Sequence, residues 1–297
     1  MILGPTAVGK SGLAVKLAGR FHGEIINGDS MQVYRGFTIG TAKPTVAERA
    51  GIPHHLLDFV DPASQFCAMD FVSQTLRVLN ELRSRNALPF IVGGTGLYLK
   101  ALLDGLFPGP GRDPQVRKRL AAEVEERGLP SLRQRLEGLD PEYARKIGPN
   151  DRLRIIRALE VYELSGLPMS AHFSRTSGFL KDFHCLRIGL QLERKELTGR
   201  IEERVDRMFE QGLAAEVESL LAQGVSEEAP PFRALGYKHV LMYLRQRISL
   251  DDAVALTKQD TRQYAKRQMT WFRKMAEVRW FAPSDLEAVA ALIEENV

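Results

Sequence analysis

Apolar positions along this chain follow two patterns: short unbroken runs of strand length, and longer stretches with apolar residues at helical spacing. Met1-Ile2-Leu3 is a run that breaks at Gly4, and Leu13, Ala14, Leu17 and Ala18 then mark a helix over Ser11 to Arg20. A strand this short, against a usual length of about five, predicts a start further upstream. Glu24 to Asn27 reads as a second strand ending at Gly28-Asp29-Ser30, and a polar loop covers Gly36 to Pro44. Phe71 to Arg85 fits an amphipathic helix with Phe71, Leu76, Leu79 and Leu82 on its inner face. Leu88 to Val92 is a compact strand running straight into Gly93-Gly94-Thr95-Gly96. Cys185 to Leu192 reads as a returning strand, followed by helices from Lys195 to Gln223. Strands alternating with helices predict an α/β fold with a parallel sheet, whose ligands gather beyond the carboxyl ends of its strands. The loops at Gly4 to Ser11, Gly28 to Gln32 and Gly93 to Gly96 can converge at that edge.

The pattern changes at Phe107-Pro108-Gly109-Pro110-Gly111, a run of turn formers that predicts a domain boundary. Beyond it Asp113 can cap a helix with Pro114 at its first position, continuing through Val116, Leu120 and Val124. A second helix spans Asp151 to Ser165 and stops at Gly166-Leu167-Pro168. The predicted organisation is a sheet core over 1–111 and 184–297, interrupted by an all-helical insertion over 112–183.

Composition narrows the class without choosing a function. The chain has 297 residues, of which 44% are hydrophobic and 26% charged, with no apolar run long enough to cross a membrane. The amino terminus lacks the basic and apolar segments of a secretion signal, so a cytoplasmic protein is expected. Cys67 and Cys185 stand apart and outside any metal-ligand spacing, in keeping with a reducing compartment. The net charge is +4 and the pI near 9.1, and clustered basic residues point to an anionic partner.

Candidate chemistry begins at Gly4-Pro5-Thr6-Ala7-Val8-Gly9-Lys10-Ser11. The spacing is that of a phosphate-binding loop: its glycines let backbone N–H groups turn inward on phosphate oxygens, Lys10 adds a cation, and the Ser11 hydroxyl can ligate Mg²⁺. The following helix directs its positive end at the anion. Asp29, at the end of the second strand, is the best general-base candidate, and Gln32 can hydrogen-bond a nucleobase edge. A turn or capping role for Asp29 fits the local residues as well. Thr95 can donate to a phosphate oxygen or the reacting centre, or merely close a glycine turn. Thr261 to Lys274 holds five basic residues and no acid. On a helix, Arg262, Lys266 and Arg273 share one stripe, with Tyr264, Trp271 and Met275 opposite as the packing face. That basic face meets either an anion or plain solvent. Arg154 and Arg157, and the cluster Arg117-Lys118-Arg119, could extend it. Adjacent His54 and His55 point to different sides of any regular element, which favours loop hydrogen bonding over a metal.

Taken in order, Gly4 to Ser11, Asp29-Ser30-Met31-Gln32-Val33-Tyr34-Arg35, Gly40-Thr41-Ala42-Lys43-Pro44, Gly93-Gly94-Thr95-Gly96-Leu97-Tyr98, Asn150-Asp151 with Arg154 and Arg157-Ala158-Leu159-Glu160, Arg233-Ala234-Leu235-Gly236-Tyr237 and Tyr264 to Arg273 closely resemble the tRNA dimethylallyltransferases. The resemblance covers nearly the whole chain. It implies a P-loop NTPase-like parallel sheet core with a helical insertion, acting as a monomer. The implied reaction moves a dimethylallyl group from dimethylallyl diphosphate to the exocyclic amine of the adenine 3′ of the anticodon, releasing diphosphate. On matching positions, the loop through Thr6 to Ser11 would cradle the diphosphate, Ser11 would help hold Mg²⁺, Thr95 would touch the reacting groups, and Asp29 would take the amine proton. Asp29, Ser30, Met31, Gln32, Arg117, Arg154, Arg157, Arg233 and the basic helix with Arg262, Lys266 and Arg273 would meet the tRNA anticodon stem-loop. Three other readings stay open. A small-molecule kinase explains the loop, although no arginine-rich lid is identifiable. A non-catalytic RNA-binding module explains the basic helix, and a prenyltransferase acting on free adenine nucleotides explains the chemistry but leaves the insertion without a task.

Overall fold

Six short strands assemble into one parallel sheet. In the computed structural model, which describes all residues except Pro108, Ser174 and Arg175, the strands are β1 (Ile2–Leu3), β2 (Gly23–Asn27), β3 (His54–His55), β4 (Leu88–Gly93), β5 (Arg187–Leu190) and β6 (Val278–Phe281). Their order is β3-β2-β4-β1-β5-β6, with every neighbouring pair parallel. β1, β2 and β4 are therefore adjacent, and the loops that follow them emerge along the same sheet edge.

The central strands are apolar because they are covered on both faces. Ile2, Ile25, Phe90, Val92, Ile188 and Leu190 form a core with Leu13, Ala14, Leu17 and Ala18 of the helix Lys10–Arg20, and with Val289 and Leu292 of the helix Leu286–Glu294. The observed helix thus begins one residue before the predicted Ser11. The helix Ala68–Ser84 buries Phe71, Val72, Val78, Leu79 and Leu82. A satellite core of Val33, Phe37, Leu213, Val217, Phe232 and Tyr237 fixes the segment after Asp29. There the Glu216 carboxylate accepts the Ile39 N–H at 2.9 Å and the Tyr237 hydroxyl at 2.5 Å, which holds the polar loop Gly36 to Pro44 in place.

Contacts divide the chain into two compact units, Met1–Ala101 with Leu180–Val297, and Leu102–Phe179. The second contains the helices Pro114–Arg127, Leu129–Leu139, Pro141–Lys146, Arg152–Ser165 and Met169–Phe173 around Leu120, Leu132, Leu136, Ile155 and Leu159. Its caps follow local chemistry: Asp113 accepts the Gln115 and Val116 N–H groups at 2.8 and 2.9 Å, Asp151 accepts the Arg154 N–H, and Gly166 closes the helix in the left-handed region. Of the turn-former run, Phe107, Pro110 and Gly111 are held within this second unit by Arg157, which lies over the Phe107 ring and donates to the Pro110 and Gly111 carbonyls at 2.7 and 3.1 Å. Pro108 lies outside the described residues.

β3, β6 and the helix Leu286–Glu294 escaped the sequence pattern. β3 has two residues, and β6 is a half-buried edge strand carrying Arg279, so neither shows a clean apolar run. His54 and His55 form β3 and take hydrogen bonds rather than a metal-ligand arrangement: His54 Nδ1 bonds the Ile52 carbonyl at 2.8 Å and His55 Nε2 bonds Glu24 at 2.6 Å. Among the described residues no helix is long and apolar enough to cross a membrane.

Candidate active site at the carboxyl edge of the sheet

The loop after β1 is held from below. Val8 is fully buried, and Gly4 takes a φ of 151° with its Cα pressed to the next strand, where a Cβ would stand 2.7 Å from the Leu190 carbonyl oxygen. Only glycine fits there. Lys10 turns its ammonium back on the loop, donating to the Gly4 and Pro5 carbonyls at 2.9 and 2.7 Å. Burial, and next the nearby Arg204 guanidinium, pull Lys10 down to about 7, while Asp29 acts in the opposite sense. Ser11 is exposed at the start of the helix, and among the described residues its hydroxyl has no protein partner. No group of three or more His, Cys, Asp or Glu side chains gathers there or elsewhere among them. This donor set fits Mg²⁺ that keeps most of its ligands from phosphate and water, and takes one hydroxyl from the protein.

Asp29 follows β2. Its Oδ1 accepts the Met31 N–H at 2.8 Å and the Gln32 N–H at 3.4 Å, an Asx turn that sets the loop. Asn27 braces the same residue from both sides, accepting its N–H at 3.1 Å and donating to its carbonyl at 3.2 Å. Among the described residues Oδ2 has no partner. The turn thus occupies one oxygen of the carboxylate and leaves the other available.

Thr95 follows β4 and reaches across to the Asp29 loop. Its Oγ1 accepts the Ser30 N–H at 2.9 Å and donates to Ser30 Oγ at 3.3 Å. The Thr95 hydroxyl thus binds the residue next to Asp29. The Gln32 amide N–H groups go to the Thr41 and Ala42 carbonyls, both at 3.1 Å. Only its amide oxygen is left to read a base.

Three site residues were missed in the sequence. Arg204, on the helix Arg194–Glu210, donates to Thr6 Oγ1 at 3.2 Å and interacts electrostatically with Asp29 and Lys10. Burial lowers its guanidinium from the ordinary value, and Asp29 opposes that shift. Gln268 accepts the Thr6 N–H at 2.8 Å and donates to the Gly94 carbonyl at 2.8 Å. Burial, and next the Asp29 carboxylate, push the Tyr264 phenol well above the usual range, while the Thr95 and Gln268 side chains act in the opposite sense, so it stays protonated at neutral pH. The latter two lie on the helix Leu250–Phe272, whose buried stripe is Ala253, Thr257, Thr261, Ala265, Gln268 and Phe272. The packing face predicted from Tyr264, Trp271 and Met275 is therefore wrong. Small and hydroxyl-bearing residues let this helix approach its neighbours closely, while Trp271 stays 37% exposed beside Gly96. The i, i+4, i+8 run of Ala253, Thr257 and Thr261 was the available signal.

The basic residues separate into two groups. Lys266 and Arg273 are exposed, with no ion pair among the described residues. Arg262 is paired to Glu202 at 2.6 Å. Arg154 stays largely exposed beside Asp151, as does Arg233, with only a 3.9 Å approach to Glu228. Arg117 and Arg157 instead clamp the fully buried Glu160 at 2.9 and 2.8 Å, and Arg157 also lies over the Phe107 ring. Their first task is structural: they neutralise a buried carboxylate that already accepts the Asp113 N–H at 2.8 Å.

A family model described as IPP transferase matches residues 32–275. The chain belongs to the IPP transferase family. It is 51% identical over 281 residues to tRNA dimethylallyltransferase 2 of Geotalea uraniireducens, covering 94% of this chain and 90% of that one. With the tRNA dimethylallyltransferase of Geobacter sulfurreducens the identity is 46%, covering 98% and 94%. Among solved structures, the tRNA isopentenylpyrophosphate transferase of Bacillus halodurans is similar at a TM-score of 0.73 and 40% identity, covering 99% of this chain and 94% of that chain. A eukaryotic dimethylallyltransferase acting on tRNA gives 0.79 at 32%, covering 96% and 74%. Family members of this likeness carry the same α/β core, a P-loop NTPase-like parallel sheet with flanking helices.

Proposed function

We propose that this protein transfers a dimethylallyl group from dimethylallyl diphosphate to the exocyclic amine of the adenine 3′ of the anticodon in tRNA. One observation carries the reading: a phosphate loop, an aspartate with one unpartnered carboxylate oxygen and a threonine bracing that aspartate's loop stand at the ends of three adjacent strands. The amine nitrogen attacks the allylic carbon, the carbon–oxygen bond to diphosphate breaks, and Asp29 Oδ2 receives the amine proton. The adenine lone pair is delocalised into its ring, so the amine needs help at both ends of the displacement. Base assistance contributes roughly 10²- to 10⁴-fold, and fixed positive charge on the leaving group a comparable amount. Lys10, the loop N–H groups and Arg204 supply that charge. Ser11 would hold Mg²⁺, which when bound neutralises diphosphate oxygens.

The kinase alternative loses one of the arguments against it, because Arg204 does stand at the loop. It leaves unexplained why the loop is joined to Asp29 and to a helix with an exposed basic face. Family membership also supports prenyl transfer. The reading carries a cytoplasmic site of action with it. Mass spectrometry of unmodified tRNA incubated with the protein, Mg²⁺ and dimethylallyl diphosphate is expected to show one added prenyl unit on the anticodon loop. Consumption of ATP with a small acceptor, and an unaltered tRNA, would overturn it.

Of the three cations assigned to the basic face, Lys266 and Arg273 carry no ion pair among the described residues. Neutralising both is expected to weaken tRNA binding and to shallow the dependence of log K on log salt by about 0.7–0.9 per lost contact. Arg262→Ala, already paired to Glu202, is expected to change that slope little. Equal slopes for wild type and the double variant, from filter binding over a salt series, assign the face to solvent.

Lys10 makes donor binding pH-dependent. With its ammonium pulled down to about 7, much of it is neutral above that pH, and a bound diphosphate raises it again. Binding therefore takes up a proton between about pH 7 and the ordinary lysine value near 10.4, and affinity falls as pH rises through that window. Calorimetry in buffers of different ionisation enthalpy should report this uptake in wild type and lose it in Lys10→Met. Equal uptake by the two proteins would remove Lys10 as its source.

A further inference from the structure

Gln268 is only 5% exposed, in a stretch that is otherwise rich in cations. Its amide joins two loops by their backbones, accepting from Thr6 N–H and donating to the Gly94 carbonyl, each at 2.8 Å. Those loops follow β1 and β4, which are neighbours in the sheet. A single amide offers both an acceptor and donors, so it can satisfy a buried N–H and a buried C=O together. Gly94 is shaped to receive it: a Cβ at that position would stand 2.4 Å from Gln268 Nε2. Thr95, the next residue in that loop, accepts the Ser30 N–H at 2.9 Å. The loop after β4 is thus tied to the phosphate loop through Gly94 and Gln268, and to the Asp29 loop through Thr95.

We propose that Gln268 is a positioning residue that clasps the phosphate loop to the Gly93–Gly96 loop and holds the leaving-group side of the site in register with the Asp29 side. The consequence for transfer rests on the prenyl-transfer reading, whereas the clasp itself rests on the two backbone bonds. Displacement demands that nucleophile and leaving group stay aligned, and small shifts in such alignment carry large rate costs. A glutamine serving only as core filling would leave diphosphate affinity unchanged when replaced by a side chain of equal length.

Three variants test this. Gln268→Met keeps the length and removes both bonds, Gly94→Ala pushes the amide away without altering it, and Gln268→Glu keeps the acceptor but donates only when protonated. Inorganic diphosphate binding is measured by calorimetry without tRNA, and single-turnover transfer is measured with saturating tRNA. Gln268→Met and Gly94→Ala are expected to weaken diphosphate binding about tenfold or more and to lower kcat/KM for the donor about 10- to 100-fold. The tRNA Kd should stay within about twofold. For Gln268→Glu, the diphosphate affinity relative to wild type should recover as pH falls from about 8 to about 5, because the protonated carboxyl regains a donor. That ratio should stay flat for Gln268→Met. Wild-type diphosphate affinity in a folded Met or Ala variant, or a flat ratio for Glu, overturns the proposal. If Gln268→Met does not fold, Gly94→Ala decides alone. If wild type transfers no prenyl group, the functional reading falls while the diphosphate measurement still decides the clasp.

Discussion

Asp29→Asn is expected to lower the single-turnover transfer rate by about two to four decades while leaving tRNA affinity within a few-fold. Asparagine is the sharper substitution because it separates the two duties of this side chain. Its amide oxygen can still accept the Met31 and Gln32 N–H groups that Oδ1 accepts now. It cannot take a proton on the atom corresponding to Oδ2. Asp29→Ala removes the base and the turn together, leaving two backbone N–H groups without their acceptor, so a further loss in tRNA affinity is expected there. Rapid-quench assays with saturating tRNA and donor, paired with tRNA binding measurements, distinguish the two. If the Asn variant transfers at the wild-type rate, Asp29 is a turn residue and another group takes the proton.

The residues that could be found in the sequence share one property: their chemistry is local. Gly4 to Ser11 carries its glycines, lysine and hydroxyl within one turn of chain. Asp29 and Thr95 directly follow apolar strands, so both their position at the sheet edge and their neighbourhood were legible. Arg204, Tyr264 and Gln268 are brought to the same place by packing of the helices Arg194–Glu210 and Leu250–Phe272 against the core. Nothing next to them in the chain marks them as site residues. Arg204 reaches a threonine separated from it by almost two hundred positions.

The misread helix face has a different cause. Size predicts burial of Tyr264, Trp271 and Met275, but the helix buries Ala253, Thr257, Thr261, Ala265, Gln268 and Phe272 instead. Tyr264 and Gln268 then serve the site rather than the core. Arg117 and Arg157 carry a structural duty besides their charge, because both pair with Glu160, three positions after Arg157 on the same helix face. That signal was present in the sequence. A carboxylate at this spacing from an arginine predicts an internal pair before it predicts a nucleic-acid contact.

Arg204→Ala carries the second large expected effect. The guanidinium is held on Thr6 and senses Asp29, so it stands between the phosphate loop and the base loop. Charge grows on diphosphate as the allylic carbon–oxygen bond breaks, and a fixed cation there acts more strongly on the transition state than on the bound donor. Losing one such contact costs about 10²- to 10³-fold in rate. Arg204→Lys should recover little of it, because an ammonium cannot reproduce the planar, multiply donating fork. The variant also carries an internal check. Arg204 repels the Lys10 ammonium and helps hold it near 7, so its removal raises the Lys10 value and moves the onset of proton uptake on diphosphate binding to higher pH. A rate loss with that upward shift places Arg204 beside the diphosphate and Lys10. Wild-type single-turnover rates in Arg204→Ala, measured at saturating donor, would leave the guanidinium with only its bond to Thr6.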